Sequence, residues 1–348
     1  MSVSLKQLSA RLGLSPTTVS RALNGYPEVN EATRQRVKNM AEQLHYHPNA
    51  RARSLATGRQ HAIAHVISGS ISHEIMNPVF SDFIAGAGEV YSAAGYDMIL
   101  RIVPDTQESE VYRELVARGS VDGVMVHVPR QRDPRVQLLH ELKIPFLFHG
   151  RTSDVDVPYS WLDINNQHSF EQATELLLDY GHTHIALLNG LEDMDFARRR
   201  RAGFMTAYRS AQLSPRPELM RQAAMTEPYG YHAALELMAL PEPPTAFLTS
   251  SMMVAYGVRR ALTELGLKLR QDISLITHDD ELSYLPNEGE VPMFTATRSS
   301  VREAGRRSAR LLLSLVDDPE CGPVTELMET SLIMGASTGP MRRLPHAE

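Results

Sequence analysis

Thr17 and Arg21 stand one helical turn apart in a short stretch, PTTVSRALNG, that also carries Thr18, Ser20 and Asn24. Hydroxyls, an amide and a guanidinium gathered this closely are hydrogen-bonding groups without a nucleophile and base to activate one another, so they suit base edges and phosphate oxygens better than bond breaking. The surrounding pattern is that of two helices joined by a three-residue turn containing Gly13. In a helix-turn-helix the N-terminal residues of the second helix, here Pro16 and Thr17 with Arg21 one turn on, meet base edges in the major groove. Thr18, Ser20 and Asn24 then face phosphate oxygens, which fix register without reading sequence. The remainder of the chain offers no catalytic alternative: there is no Gly-x-Ser-x-Gly elbow, phosphate-binding Gly-rich loop or HExxH. The histidine pairs His45/His47 and His182/His184 lack a third ligand at metal-binding spacing. No enzyme activity, cofactor or metal is expected, and a sugar-modifying enzyme with an attached DNA domain is disfavoured because no nucleophile or paired acid can be nominated.

These side chains must be held by a small bundle. Leu5, Leu8 and Leu12 have helical spacing, and Gly13 ends that helix in a tight turn. Ser15 is a good N-cap and Pro16 suits the first helical position, which predicts a second helix from Pro16 to about Leu23, terminated by Asn24-Gly25. Asn30 can cap a third helix with an apolar stripe of Val37, Met40, Ala41 and Leu44, stopped by Pro48. Ser15, Asn30 and Thr33 complete the polar headpiece residues assigned to DNA contact. Residues 1–60 hold nine Lys or Arg against three acids, a balance of +6, whereas the rest of the chain holds 26 basic and 38 acidic side chains, a balance of −12. A polyanion is attracted to one end only. The bland alternatives are a chance basic face, or a bundle used for protein docking; the latter would need an apolar outer face where Lys, Arg, Thr, Gln and Asn stand.

A chain of 348 residues, 43% hydrophobic and 22% charged, can bury large cores in two or three folding units. The single cysteine, Cys321, and the polar start imply a reducing cytoplasm without a secretory leader, and no apolar run approaches the roughly 18 residues of a membrane helix. From His61 onward short apolar runs alternate with amphipathic stretches. Strands are expected at 62–67, 97–103, 123–128, 146–148, 185–189, 246–249 and 274–277, and helices at 80–94, 108–118, 169–180, 198–211, 229–239, 253–265 and 302–315. That alternation predicts parallel sheets covered on both faces.

The run LKQLSARLGLSPTTVSRALNG, followed by VNEATRQRVKNMAEQLHYHPNARARSLA, resembles the LacI/GalR headpiece over about 55 residues. The resemblance implies a hinge helix at 49–56 that enters the minor groove, with Leu55 as a wedge between base steps, Ala52 and Arg53 beside it, and Asn49 on the backbone or a base edge. It divides the chain into a helix-turn-helix domain, residues 1–58, and a sugar-binding and dimerisation domain, residues 59–348. The implied fold is an all-α helix-turn-helix headpiece plus an α/β periplasmic-binding-protein-like core of two doubly wound parallel-sheet lobes.

The larger part is similar to the same family through NPVFSDFIAGAGEVYSAAGYD, VDGVMV, IPFLFHGR, DYGHTHIALLNG, RRRAGF, TELGL and HDDE. In that frame a sugar binds where strand C-termini of both lobes face the cleft. Arg200 stands at the arginine of the family's Arg-x-x-Gly-aromatic motif, and Asp279 ends a strand with a carboxylate able to accept from two hydroxyls. Arg151, Asp163 and Asn165 fall near a lobe crossover, Asn77 and Phe80 come from the first lobe, and Trp161 is a stacking platform. The alternatives are a solvated face for the rest of the arginine run and core positions for Phe80 and Trp161. Many family members have Asn-Asp where Ser251-Met252 stand here; Ser251 keeps a hydroxyl, whereas Met252 makes that subsite more apolar. NGYPEVNEATRQRV, HDDELSYLPNEGEVP and FTATRSS resemble repressors of alpha-glucoside uptake operons. The implied partners are operator DNA, a small sugar and a second copy of the chain in a homodimer or tetramer, with no membrane. The expected function is repression of a carbohydrate operon relieved by the sugar, the alternatives being a corepressor-binding core or one that only dimerises. Chemistry does not choose among sucrose, trehalose, maltose and a sugar phosphate.

Overall fold

The structure, a computed structural model, describes residues 3–23, 26–44, 46, 58–68, 78–278, 281–285, 287 and 289–342. It divides into two compact units, Met1–His61 and Ala62–Glu348. In the first unit α1 (Leu5–Leu12) opens with a reciprocal cap between Ser4 and Gln7 and closes on Gly13, whose φ of 65° requires the left-handed conformation that glycine adopts without strain. The second helix α2 (Pro16–Leu23) starts from Ser15, whose hydroxyl accepts the Thr18 N–H at 3.0 Å. Asn30 likewise caps α3 (Glu31–Gln43) by accepting from Thr33 N at 2.8 Å. Leu8, Leu12, Val19, Ala22, Val29, Val37 and Ala41 form the core of this bundle, with Met40 and Leu44 packed at its edge.

The second unit contains two six-stranded sheets, ordered β11-β5-β4-β3-β1-β2 and β12-β10-β9-β8-β6-β7. The first lobe's strands are β1 (Ala62–Ser68), β2 (Asp97–Val103), β3 (Gly123–His127), β4 (Phe146–His149), β5 (Trp161–Ile164) and β11 (Thr325–Met328). The second lobe's are β6 (Ile185–Asn189), β7 (Met220–Gln222), β8 (Ala246–Thr249), β9 (Ser274–His278), β10 (Thr295–Arg298) and β12 (Ser331–Ile333). All pairs are parallel except β10 with β12. The interior strand β1, flanked by β3 and β2, is buried along its whole length because helices cover both faces of a parallel sheet. In each lobe strand order reverses beside the first strand, between β1 and β3 and between β6 and β8, which is where doubly wound sheets open a crevice at their carboxyl ends. The chain crosses between lobes after β5, between β10 and the following helix, and between β11 and β12.

The helices of this unit are α4 (Pro78–Ala93), α5 (Glu108–Ala117), α6 (Pro134–Glu141), α7 (Asn166–Asp179), α8 (Asp195–Ser210), α9 (Glu227–Met238), α10 (Met252–Glu264) and α11 (Val301–Asp317). The pair α7 and α8 carries much of the site. At Gly203 on α8 an added Cβ would lie 2.0 Å from the Gln167 carbonyl oxygen on α7, so only glycine lets these two backbones approach as they do. Among the described residues no helix is long and apolar enough to cross a membrane.

Candidate functional site

On the headpiece Ser15, Pro16, Thr17, Arg21 and Asn30 are exposed, whereas Thr18, Ser20 and Thr33 are half-buried. Val19 and Ala22 face the bundle core, which turns Thr17 and Arg21 to the opposite side of α2. Ser15 and Thr18 share a hydrogen bond between their hydroxyls at 2.8 Å, and Asn30 spends its oxygen on its helix, so capping takes part of the hydrogen-bonding capacity assigned to DNA. Not every cation of the headpiece is available to phosphate. Arg34 donates to the Tyr26 and Val29 carbonyls at 3.1 Å each and pairs with Glu31 at 2.5 Å, while Arg36 donates to the Leu12 carbonyl. Lys6, Arg11, Arg21 and Lys38 are exposed. Asn24, Asn49, Ala52, Arg53 and Leu55, with the whole expected hinge helix, lie outside the described residues, as do Asn77 and Asp279.

The second unit has a cavity between its lobes, lined by residues of both. Its first-lobe wall is aromatic: Phe80 and Phe83 from α4 meet His127 and His149, which end β3 and β4. Phe83 stacks on His149 at 4.0 Å between ring centroids, and both phenylalanines approach His127 edge-on at 5.1 and 5.2 Å. Behind this wall His65 Nδ1 and His127 Nε2 share a hydrogen bond of 3.0 Å. Burial dominates the titration of all three histidines: it pushes His149 down to about 4 and His65 to about 3, with like-charge repulsion from His149 adding to the latter. His127 falls well below the usual histidine range by burial first, then by repulsion from His65, His149 and Arg135. The wall is therefore uncharged near neutral pH, and a neutral imidazole has one donor and one acceptor, which matches a hydroxyl. Among the described residues no group of three or more His, Cys, Asp or Glu side chains has a metal-holding arrangement.

A polar ridge crosses the cavity from one lobe to the other. Arg151 donates to Asp163 Oδ2 at 2.9 Å, Asn166 donates to Asp163 Oδ1 at 3.4 Å, and Arg200 donates to Asn166 Oδ1 at 2.7 Å. Arg200 reaches this position because the α7–α8 contact at Gly203 brings its helix against the one that Asn166 begins. It also donates to the Ser250 carbonyl at 2.7 Å and lies over the rings of Phe196 and Phe170 at 4.7 and 5.3 Å, a charge held by dipoles and π faces in a buried setting. Desolvation pushes Asp163 up to about 6 although Arg151 and Arg199 act in the opposite direction. The result is an apolar wall facing an array of donors and acceptors, suited to a molecule with a flat face and several hydroxyls.

Of the residues assigned from sequence, Phe80, Arg151, Asp163, Arg200 and Ser251 line this cavity. Ser251 also caps α10 through Val254 N at 3.4 Å. Asn165 and Trp161 do not line it. The Asn165 amide donates to Glu329 at 2.9 Å and its oxygen caps α7, fastening a lobe crossover, and Trp161 packs at the edge of the first-lobe core with Arg151 5.2 Å above its ring. Met252 is fully buried in the core, so it does not shape a subsite as the sequence reading expected. His127, His149 and Asn166 were not singled out from sequence. The available signal was that each histidine ends an apolar run, VMVH and FLFH, at the strand terminus where such folds place their ligands.

Comparisons with known proteins match both units of the chain. The family model described as bacterial regulatory proteins, lacI family, matches residues 4–49, and that of periplasmic binding proteins and sugar binding domain of LacI family matches residues 66–331. The HTH-type transcriptional regulator AglR of Rhizobium meliloti (strain 1021) is 42% identical over 343 residues, 98% of this chain and 95% of that protein. The solved complex of the transcriptional regulator CelR with cellobiose aligns with a TM-score of 0.71 at 28% identity, covering 96% of this chain and 99% of that one. The lac repressor dimer bound to operator and an anti-inducer aligns with a TM-score of 0.80 at 24% identity, over 97% and 100% of the two chains, a likeness of fold.

Proposed function

Since this chain belongs to the LacI family of bacterial regulatory proteins and is a transcriptional regulator, we propose that it represses a carbohydrate-utilisation operon and leaves its operator when a small sugar fills the cavity between the lobes. The observation that carries this reading is the cavity itself, in which Arg151, Asp163, Asn166 and Arg200 form one polar ridge against the uncharged wall of Phe80, Phe83, His127 and His149. The headpiece, residues 1–58, reads each half-site with Thr17 and Arg21, and two copies bind a palindrome whose halves lie about 10 bp apart. The hinge helix 49–56 enters the minor groove with Leu55 between base steps, and Asp279 joins the sugar-binding set. The protein acts as a homodimer in the cytoplasm.

The effector class is an uncharged oligosaccharide, an alpha-glucoside first among candidates. CelR binds cellobiose in its solved complex, and the polar ridge facing an uncharged aromatic wall suits a molecule with a flat face and several hydroxyls. The test is a thermal-shift and calorimetric panel of maltose, sucrose, trehalose, cellobiose and a sugar phosphate, followed by operator gel-shift with each binder. A sugar that binds and weakens operator affinity supports the reading. A sugar that binds and strengthens it makes the effector a corepressor, and the absence of any binder leaves the second unit as a dimerisation domain.

A further inference from the structure

Beside the cavity, and apart from the three crossovers, two segments from opposite lobes meet in a dense set of contacts. We propose that they form a latch that fixes the width of the cavity, with Asp195 as a positioning residue for effector binding. Its effect on affinity rests on the cavity being the effector site, whereas its effect on lobe motion does not. Asp195 begins α8 and is 1% exposed. Its Oδ2 accepts from Ser153 N at 2.6 Å and from the Ser153 hydroxyl at 2.5 Å, across the lobe boundary. Its Oδ1 pairs with Arg199 Nε at 2.6 Å, and Arg199 Nη2 reaches back to the Ser153 hydroxyl at 3.2 Å. The backbones join as well: Asp195 N donates to the Pro129 carbonyl at 3.1 Å, Gln131 N donates to the Asp193 carbonyl at 3.4 Å, and Arg130 and Met194 make an antiparallel bridge.

Both halves of the latch are rigid and adjacent in sequence to cavity residues. On the second lobe Phe196 and Arg200 follow within two turns of the same helix, and on the first lobe Pro129, Gly150 and Arg151 are neighbours of Ser153 and Gln131. Arg135 braces the first-lobe half with a two-pronged pair to Asp133 at 2.9 and 2.6 Å and with donations to the His127 and Val128 carbonyls at 3.1 and 3.3 Å. Thr152 adds a hydroxyl bond to the Arg130 carbonyl at 2.5 Å. Within this brace Val128 has a φ of 47°, a left-handed conformation that a β-branched residue holds only where its surroundings over-determine it. A rigid body on each side means that the Asp195–Ser153 contact sets the separation between Arg200 and Arg151. Ligand affinity depends on such preorganisation because closure free energy not supplied by the protein must come from binding.

The test uses the full chain with Asp195→Asn and, as a milder change that removes one hydroxyl, Ser153→Ala. Amide hydrogen exchange without sugar is the first readout. Exchange at Gln131, Ser153 and Asp195 is expected to rise at least tenfold for Asp195→Asn and about threefold for Ser153→Ala, while amides of β1 and β6 keep their wild-type rates. The second readout is calorimetric Kd for maltose, sucrose, trehalose and cellobiose, expected to weaken about tenfold and threefold for any that bind the wild type. A general loss of structure would instead raise exchange in β1 and β6 as well. Unchanged exchange at the three latch amides overturns the latch, and faster exchange with unchanged sugar Kd overturns the positioning role of Asp195. If none of the four sugars binds the wild type, it is the effector reading that fails, and the exchange data alone decide whether the latch exists.

Discussion

The recognition face of the headpiece and the cavity of the second unit are both built to bind, yet they are assembled in opposite ways. The first is one helix of eight residues whose cap, core positions and outward positions interleave within Ser15–Leu23. The second takes side chains from Val79 to Val301, mostly from strand ends and helix starts that only the finished fold brings together. A surface with local parentage is written in a periodicity, whereas a cavity is written in topology, and the two fail differently under substitution. Loss of an outward side chain on α2 removes a contact and little else. Loss of a cavity residue strands polar partners that the fold has already taken out of water.

That difference also decides how much could be read before the structure. Ser15, Pro16, Gly13 and Asn30 announce their helices because caps and tight turns act within a few residues. The buried strands β1, β3, β6 and β8 announce themselves as apolar runs. By contrast β7, β11 and β12 have three or four residues and no fully buried position, and α6 is a helix of eight with a weak apolar stripe, so neither pattern stands out. Asn165 and Asn166 are equivalent in sequence terms. The chain direction at the crossover turns Asn165 to Glu329 and Asn166 to Arg200. Trp161 looked like a platform by type, but its strand alternation places it toward the first-lobe core.

The largest effects are expected where topology makes the cavity. Gly203→Val would push a side chain into the Gln167 carbonyl and force α7 from α8, so the second unit is expected to lose about 4 kcal/mol of stability. Calorimetry on the full chain should show the main transition shifted down, and an unchanged transition would mean the helix pair is looser than described. Next in size, Arg200→Ala leaves the Asn166 oxygen and the Ser250 carbonyl buried without their donor, with about 3 kcal/mol lost from sugar binding, near a hundredfold in Kd. Operator affinity of the sugar-free protein should stay close to wild type, as gel-shift would check.

Acid supplies a third discrimination. His65 and His149 have folded pKa values of about 3 and about 4, below the ordinary 6.5, so the stability they contribute is present above pH 6.5 and is lost as pH falls toward 4. Each contributes a slope of about 1.4 kcal/mol per pH unit within that window. Asp163, raised to about 6 from 3.8, works with the opposite sign, losing stability as pH rises from about 4 to about 6. Two histidines outweigh one carboxylate, so denaturant midpoints should fall between pH 6.5 and 4; a flat or rising profile would show that the aromatic wall is hydrated. The smallest effect belongs to the headpiece. Thr17→Ala should change base preference at its half-site position by about 1 kcal/mol without altering sugar affinity. Lys6→Ala should instead reduce the salt slope of binding by about one unit across all sequences, and a binding-site selection at several salt concentrations separates the two.

The central claim is that the local surface and the assembled cavity are coupled, and operator affinity at fixed salt, measured for wild type and Arg200→Ala with and without a sugar that the wild type binds, tests it most directly. Sugar is expected to weaken operator binding of the wild type by about 5- to 150-fold, and operator DNA to weaken sugar binding by the same factor, as linkage demands. Arg200→Ala should show wild-type operator affinity and no response to sugar at the same concentration. A sugar that binds the wild type tightly yet leaves operator affinity unchanged or raises it would show that sugar binding does not release the operator.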